Sequence, residues 1–315
     1  MMPGNMSTVR FACVWGTLGD IAIVCIIGII SGLLRHMVTP FHRGFFQNDE
    51  SLMHPYRDST VTSAVMYSVG FTVPSLAILL LEGGWVFTVV ARNSNYELAS
   101  VKSKKSLIYF WLWRVLRVCI IFYFGVVVTH LATNIGKYSI GRLRPHFFDV
   151  CKPDWSKLNG TGAGSFYRPF PYIEEDICTG QDSALITEAR VSFPSGHSSN
   201  SVYCMVFLVI YMQRRLLWEG MLLIKPFLQT VFLLLAIYTC LSRVSDYKHH
   251  PTDVLAGGLL GLIVAVLVLY SMKEKVFPTE QMLMKDSDSR MLLMEALSGH
   301  HVNEAKSYGS CESTP

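Results

Sequence analysis

The chain has 315 residues, 51% of them hydrophobic and only 16% charged. A soluble globular domain carries about a quarter charged residues, so this balance points away from a soluble protein and toward the membrane. The net charge of +4 comes from basic residues split among several connections, which excludes a nucleic-acid surface gathered on one face.

Six apolar blocks follow in chain order, reading roughly as Asp20–Leu34, Ala64–Leu81, Val118–Ile135, Ser198–Gln213, Pro226–Leu241 and Thr252–Met272. Each approaches the roughly 20 residues that cross a bilayer as helix. None alternates as the short strands of a membrane barrel would. Pro74 lies inside the second block, where a membrane helix tolerates a kink. The sequence therefore predicts an all-α integral membrane protein of six transmembrane helices, with a long extracellular or lumenal loop between helices 3 and 4.

Charge placement sets the expected orientation. Arg92, Lys102, Lys104, Lys105, Arg114 and Arg117 cluster between the second and third blocks, and Arg214, Arg215 and Lys225 between the fourth and fifth. Short basic connections mark the cytoplasmic side. The segment 136–194 is mixed in sign and is expected on the far side, which leaves both termini cytoplasmic. The first residues lack the features of a secretory signal, and Cys311 sits one position too far from the end for a prenylation box. Residues 1–275 read as one membrane domain and 276–315 as a flexible cytoplasmic tail. In the far-side loop, Asn159-Gly160-Thr161 is a glycosylation acceptor. Cys151 and Cys178 share that loop, where an oxidising compartment permits a disulfide.

Three polar clusters fall at block ends on this far side. The first is "KYSIGRLRP": Lys137 and Arg144 are seven residues apart, two turns on one face if the third helix continues through them. On that reading Arg142 lies off the shared face, as a structural or headgroup-facing charge. The second is Pro194-Ser195-Gly196-His197, ahead of a helix whose first N–H groups lack intrahelical partners and make an anion cradle. The third is "SRVSDYKHHPTD", in which Ser242 and Arg243 close the fifth block and Pro251 opens the sixth helix. His249 and Asp253 stand four apart around that start, close enough for the carboxylate to orient the imidazole.

A serine before a helix is usually only a cap, and a lone arginine at a block end is usually a snorkelling charge. Eight such residues on one expected face are better explained as one pocket. A metal site is the obvious rival, with His197, His249 and Asp253 as ligands. Three cations in the same place would repel a divalent ion and suit an oxyanion instead.

The pattern K-x6-R-P, P-S-G-H and S-R-x5-H-x3-D, complete from Lys137 to Pro145, Pro194 to His197 and Ser242 to Asp253, resembles the type 2 phosphatidate phosphatases, whose superfamily includes the vanadium-dependent haloperoxidases. The longer runs "KYSIGRLRPHF", "SGHSS" and "CLSRVSDYKHH" look like the animal lipid phosphate phosphatases. The resemblance covers about the first 275 residues and implies a phosphatase that works without a metal or other cofactor, through a phosphohistidine. It implies His249 as nucleophile, Asp253 as its orienting carboxylate and His197 as general acid. Lys137, Arg144, Ser195, Gly196 and Arg243 would bind the phosphate oxygens. His250 is the alternative nucleophile by adjacency, one residue too close to Asp253 for the pattern.

The implied partners are lipid phosphates held in the bilayer: phosphatidate, lysophosphatidate, sphingosine 1-phosphate or ceramide 1-phosphate. The site would face outward at the plasma membrane or the lumen of an internal one, and a homo-oligomer is compatible with all of this. The competing readings are a non-enzymatic lipid-binding or adhesion protein, a transporter with an intramembrane relay, and a polyprenyl diphosphate or sugar phosphatase.

Overall fold

A computed structural model describes residues 6–92, 104–158, 172–216 and 220–278. Six long helices coincide with the six apolar blocks: α1 Met6–Met37, α2 Ser63–Arg92, α3 Lys104–Ile140, α6 Gly196–Arg215, α7 Ile224–Ser245 and α8 Pro251–Ser271. Short helices α4 Phe147–Cys151 and α5 Ser183–Ala189 lie between α3 and α6, and α9 Lys273–Val276 follows α8. Five of the long helices are long and apolar enough to cross a membrane, and the protein is an integral membrane protein.

The sixth long helix, α6, has the length but not the composition, and its position explains why. It is the hub on which α2, α3, α7 and α8 all pack. Its first turns carry Ser198, Ser199, Asn200 and Ser201, all buried against neighbouring helices rather than lipid. A helix shielded on every side can carry polar groups that a lipid-facing helix cannot. Lower down, Tyr203, Phe207 and Tyr211 on α6 and Phe122 on α3 form a ring-packed core. By contrast α1 rests on α3 at the rim, with most of its surface exposed.

Helix α8 approaches α6 more closely than ordinary side chains would allow. A Cβ at Gly257 would strike the carbonyl of Ser195, and one at Gly261 the carbonyl of Ser199. Glycines four apart let two membrane helices meet backbone to backbone. The close approach brings the Ser195 N–H within 3.0 Å of the Asp253 carbonyl.

At one end of the bundle the connections fold into a cap. Strands β1 Phe45–Phe46 and β2 Tyr172–Ile173 pair antiparallel, with Phe45 opposite Ile173. Phe45, Leu143, Phe147 and Ile177 fill a second apolar core there, and Cys151 is disulfide-bonded to Cys178. Asn159 lies outside the described residues.

The opposite end is locked by a buried ionic cluster. Glu82 pairs with Arg114 and Arg215, each at 3.1 Å, and accepts a hydrogen bond from the Tyr211 hydroxyl at 2.6 Å. Arg114 also donates to the carbonyls of Lys275 and Val276, so α2, α3, α6 and α9 meet at this point. Replacing Glu82 by Ala leaves two buried guanidinium groups without a counter-charge and should cost about 3–5 kcal/mol. Tyr211→Phe removes one charge-assisted hydrogen bond and should cost about 1.5–3 kcal/mol. Thermal unfolding of the detergent-solubilised protein should rank the two variants in that order.

Candidate active site

The site is assembled from four helix ends. Helix α3 stops at Ile140 because Gly141 adopts a left-handed backbone, with φ of 57°, and such a residue terminates helices. Lys137 therefore sits on the last turn of α3, and Arg144 lies beyond it in a loop. The expectation that the two share a helix face through their seven-residue spacing is thus incorrect. Arg144 is carried to the site by a different route, its N–H bonded to the Ala189 carbonyl at 2.8 Å. Both side chains are nonetheless near enough to His197 and His249 to act on them electrostatically.

Ser195 caps α6, its hydroxyl accepting from the N–H and the hydroxyl of Ser198. By helix geometry the N–H groups of Gly196 and His197 have no intrahelical acceptor. Lys137 approaches this turn closely, its Cε 3.9 Å from where a Cβ of Gly196 would stand. Arg243 comes from the last turn of α7. It is held by the segment before α2, with Nη1 donating to the Val61 carbonyl at 2.8 Å and Nη2 to the Ser59 hydroxyl at 3.1 Å. Its own carbonyl accepts from the N–H groups of Lys248 and His249, fixing the turn that carries His249.

Asp253, at zero exposure, is the point where these segments join. Its Oδ1 accepts from Arg142 Nη1 at 2.6 Å. Its Oδ2 accepts from the Ser192 hydroxyl at 2.6 Å and from the His250 N–H at 3.1 Å. Of the two parts expected of Arg142, the structural one holds and the headgroup-facing one does not; the face argument fails at the same helix end, Gly141. His250 is engaged elsewhere, with Nε2 at 3.1 Å from the Leu143 carbonyl.

His249 does not bond Asp253 directly: Nδ1 and Oδ2 are 3.8 Å apart, too far for a hydrogen bond. Ser192 lies between them, its hydroxyl oxygen 3.3 Å from Nδ1. Burial holds His249 well below the usual histidine pKa, so the ring is neutral. Because the Ser192 proton goes to Asp253, its oxygen is left to accept from Nδ1–H of His249. That tautomer leaves the lone pair on Nε2. Neither Ser192 nor its bridging position was foreseen from the sequence.

Two further charged groups belong to the same neighbourhood. Lys248 is buried with its ammonium 3.5 Å from the centre of the Tyr56 ring; burial, with Arg144 adding to it, pushes its pKa down to about 8. Glu188 pairs with Arg144 at 3.1 Å, and Arg144, with Lys137 and Lys248 beyond it, holds that carboxyl below its usual range. Among the described residues, six buried side-chain polar atoms have no hydrogen-bond partner, and three of them are Arg144 Nε, Arg243 Nε and His197 Nε2. The arrangement offers cations, free N–H groups, one imidazole nitrogen with a free lone pair and one unpaired imidazole nitrogen at the same end of the bundle. Such a set suits a tetrahedral oxyanion and transfer of its central atom.

Comparison with known proteins agrees with this chemistry. A family model described as the PAP2 superfamily matches residues 117–277, just over half of the chain. Phospholipid phosphatase 1 of Rattus norvegicus is 38% identical over 282 residues, covering 88% of this chain and 91% of that protein. Phospholipid phosphatase 2 of Mus musculus is 38% identical over 250 residues, covering 79% and 83%. No solved structure matches the chain significantly.

The cap over the site carries a pH signature. His146 is buried, its Nδ1 donating to the Tyr247 carbonyl at 2.7 Å, and burial pushes its pKa from 6.5 down to about 4. Between those values the unfolded chain takes up a proton that the folded one refuses. The stabilisation is complete above the unfolded value and lost as pH falls through the folded one. The unfolding temperature should therefore drop on acidification from pH 7 to pH 4, and His146→Gln should make that drop smaller.

Proposed function

The chain belongs to the PAP2 superfamily, and from that premise we propose that it is a phosphatase of lipid phosphate monoesters, acting through a phosphohistidine. Phosphatidate, lysophosphatidate, sphingosine 1-phosphate and ceramide 1-phosphate fit the chemistry of the pocket. The observation that carries the reading is that three buried polar atoms, on Arg144, Arg243 and His197, have no hydrogen-bond partner at the end of the bundle where both arginines act electrostatically on His197. Leaving a buried donor unpaired costs about 1–3 kcal/mol, and a phosphate supplies the acceptors that Arg144 Nε and Arg243 Nε lack.

In this mechanism Lys137, Arg144, Arg243 and the N–H groups at Gly196 and His197 bind the phosphate oxygens, with Glu188 yielding Arg144 to the substrate. His249 Nε2 attacks phosphorus in line with the ester oxygen. A nitrogen–phosphorus bond forms and the phosphorus–ester oxygen bond breaks. With the phosphate dianion bound beside it, His197 takes up a proton from solvent, gives it from Nε2 to the departing alkoxide, then takes one from the water that attacks the phosphohistidine. Hydrolysis returns His249 neutral and frees inorganic phosphate. Ser192 and Asp253 hold the tautomer that leaves Nε2 nucleophilic, and Arg142 fixes the carboxylate in turn.

We place the pocket on the outer or lumenal face, with six spans and the segment 276–315 in the cytoplasm. The disulfide between Cys151 and Cys178 supports this, since it lies at the pocket end and needs an oxidising compartment. The basic connections at the opposite end agree with it.

Purified protein should release phosphate from lysophosphatidate in the presence of a chelator, and His249→Ala should abolish release without loss of the folded protein. Activity that depends on added magnesium would contradict the mechanism. Ser192→Ala should lower kcat by about 10–100-fold, by analogy with the loss of a hydrogen-bond partner that orients a metal-bound imidazole, with KM little changed. An unchanged kcat would assign the bridging hydroxyl a purely structural part.

A further inference from the structure

We infer that the cleft between α2 and α7 is the binding site for an acyl chain of the lipid whose phosphate occupies the pocket above it. This rests on the lipid phosphatase reading and adds where the apolar part of the substrate lies. The cleft has a volume of about 270 Å³. Its walls are Val65 and Met66 of α2, Met205 of α6, and Leu235, Ala236 and Tyr238 of α7. Val65, Leu235 and Tyr238 are 52%, 42% and 59% exposed, so the cleft has apolar lips on the lipid-facing surface of the bundle.

Its position decides the occupant. Three lining residues lead directly into the phosphate pocket. Ser201 stands four residues after His197 and donates to its carbonyl at 2.7 Å. Thr239 stands four residues before Arg243, and the carbonyl of Val61 accepts from Arg243 itself. Four residues of helix are about 6 Å, so the apolar cleft begins one turn below the cations. An amphiphile with a phosphate at one end and a hydrocarbon chain at the other matches that order of environments. A larger cavity of about 540 Å³ lies between α1 and α3, but it is lined by Arg117 and Lys275. Its lining residue on α3 nearest the pocket, Phe124, is thirteen residues from Lys137, about 20 Å along the helix, so a chain whose phosphate is in the pocket does not begin there. The smaller cleft is the one that starts about one helical turn from His197 and Arg243.

The test uses full-length protein in vesicles and lysophosphatidates of long and short acyl chain. Ala236→Phe fills the cleft from a position two helical turns before Arg243 on α7. It should lower the ratio of kcat/KM for the long chain over the short chain by about tenfold or more, the loss expected when roughly two methylene groups are denied burial. An unchanged ratio would overturn the inference. If both rates collapse together because the variant is misfolded, wild-type protein decides: a non-hydrolysable long-chain phosphonate bearing a mid-chain diazirine is photocrosslinked and the labelled peptides identified. Label on residues 61–70 and 235–239 supports the cleft. Label confined to the α1–α3 groove, or elsewhere on the bundle, overturns it while leaving the phosphatase reading intact. Wild-type protein that hydrolyses neither lipid would instead sink that reading.

Discussion

A carboxylate at zero exposure has to be paired, because an unpaired buried charge costs several kcal/mol or takes up a proton. Asp253 meets that constraint with donors from three separate segments: Arg142 after α3, Ser192 before α6, and the N–H of His250 before α8. Satisfying one charge thus pins together the loops that carry Arg144, Ser195 to His197, and His249. The backbone contact from Ser195 N–H to the Asp253 carbonyl adds a fourth tie, made possible by the glycine face of α8. The proposed phosphate site is where those loops meet.

The rest of the bundle keeps that meeting point at one end of the helices. Lys137 and Arg243 are on last turns, and His197 and Asp253 on first turns, so charge sits where headgroups are and hydrocarbon packing fills the middle. The buried Glu82–Arg114–Arg215 cluster ties the far ends of α2, α3 and α6. A third polar group, in which His130 reaches Ser31 of α1 and Tyr67 of α2, fastens the rim helix within the bundle. Each of these ion pairs and hydrogen bonds joins one helix to another.

Five of the apolar blocks were legible because a lipid-facing helix must be apolar over its length, and that leaves a plain trace in composition; the block of α6 was the weaker trace because its neighbours shield it. The polar clusters were legible for the converse reason: charge at block ends is costly unless it is used. What escaped the sequence was local backbone geometry. The seven-residue spacing of Lys137 and Arg144 invites a helical reading, and a single left-handed residue at Gly141 voids it. The same residue made Arg142 look peripheral when it binds Asp253. Ser192 had no pattern to mark it, since a serine between Val191 and Phe193 is unremarkable until the fold brings His249 and Asp253 to either side of its hydroxyl. The glycines at 257 and 261 did carry a signal, the small-residue spacing of close membrane helices, and it bears directly on the site.

The central claim is that one oxyanion pocket, built on Asp253, presents His249 Nε2 to phosphorus. Orthovanadate takes the trigonal-bipyramidal shape of a phosphoryl group in transfer, so the structure of the protein with bound vanadate tests this most directly. Vanadium bonded to His249 Nε2, with its oxygens on Lys137, Arg144 and the N–H groups of Gly196 and His197, is the result the account predicts. Vanadate bonded to His250, or bound away from the ends of α3 and α6, would contradict it.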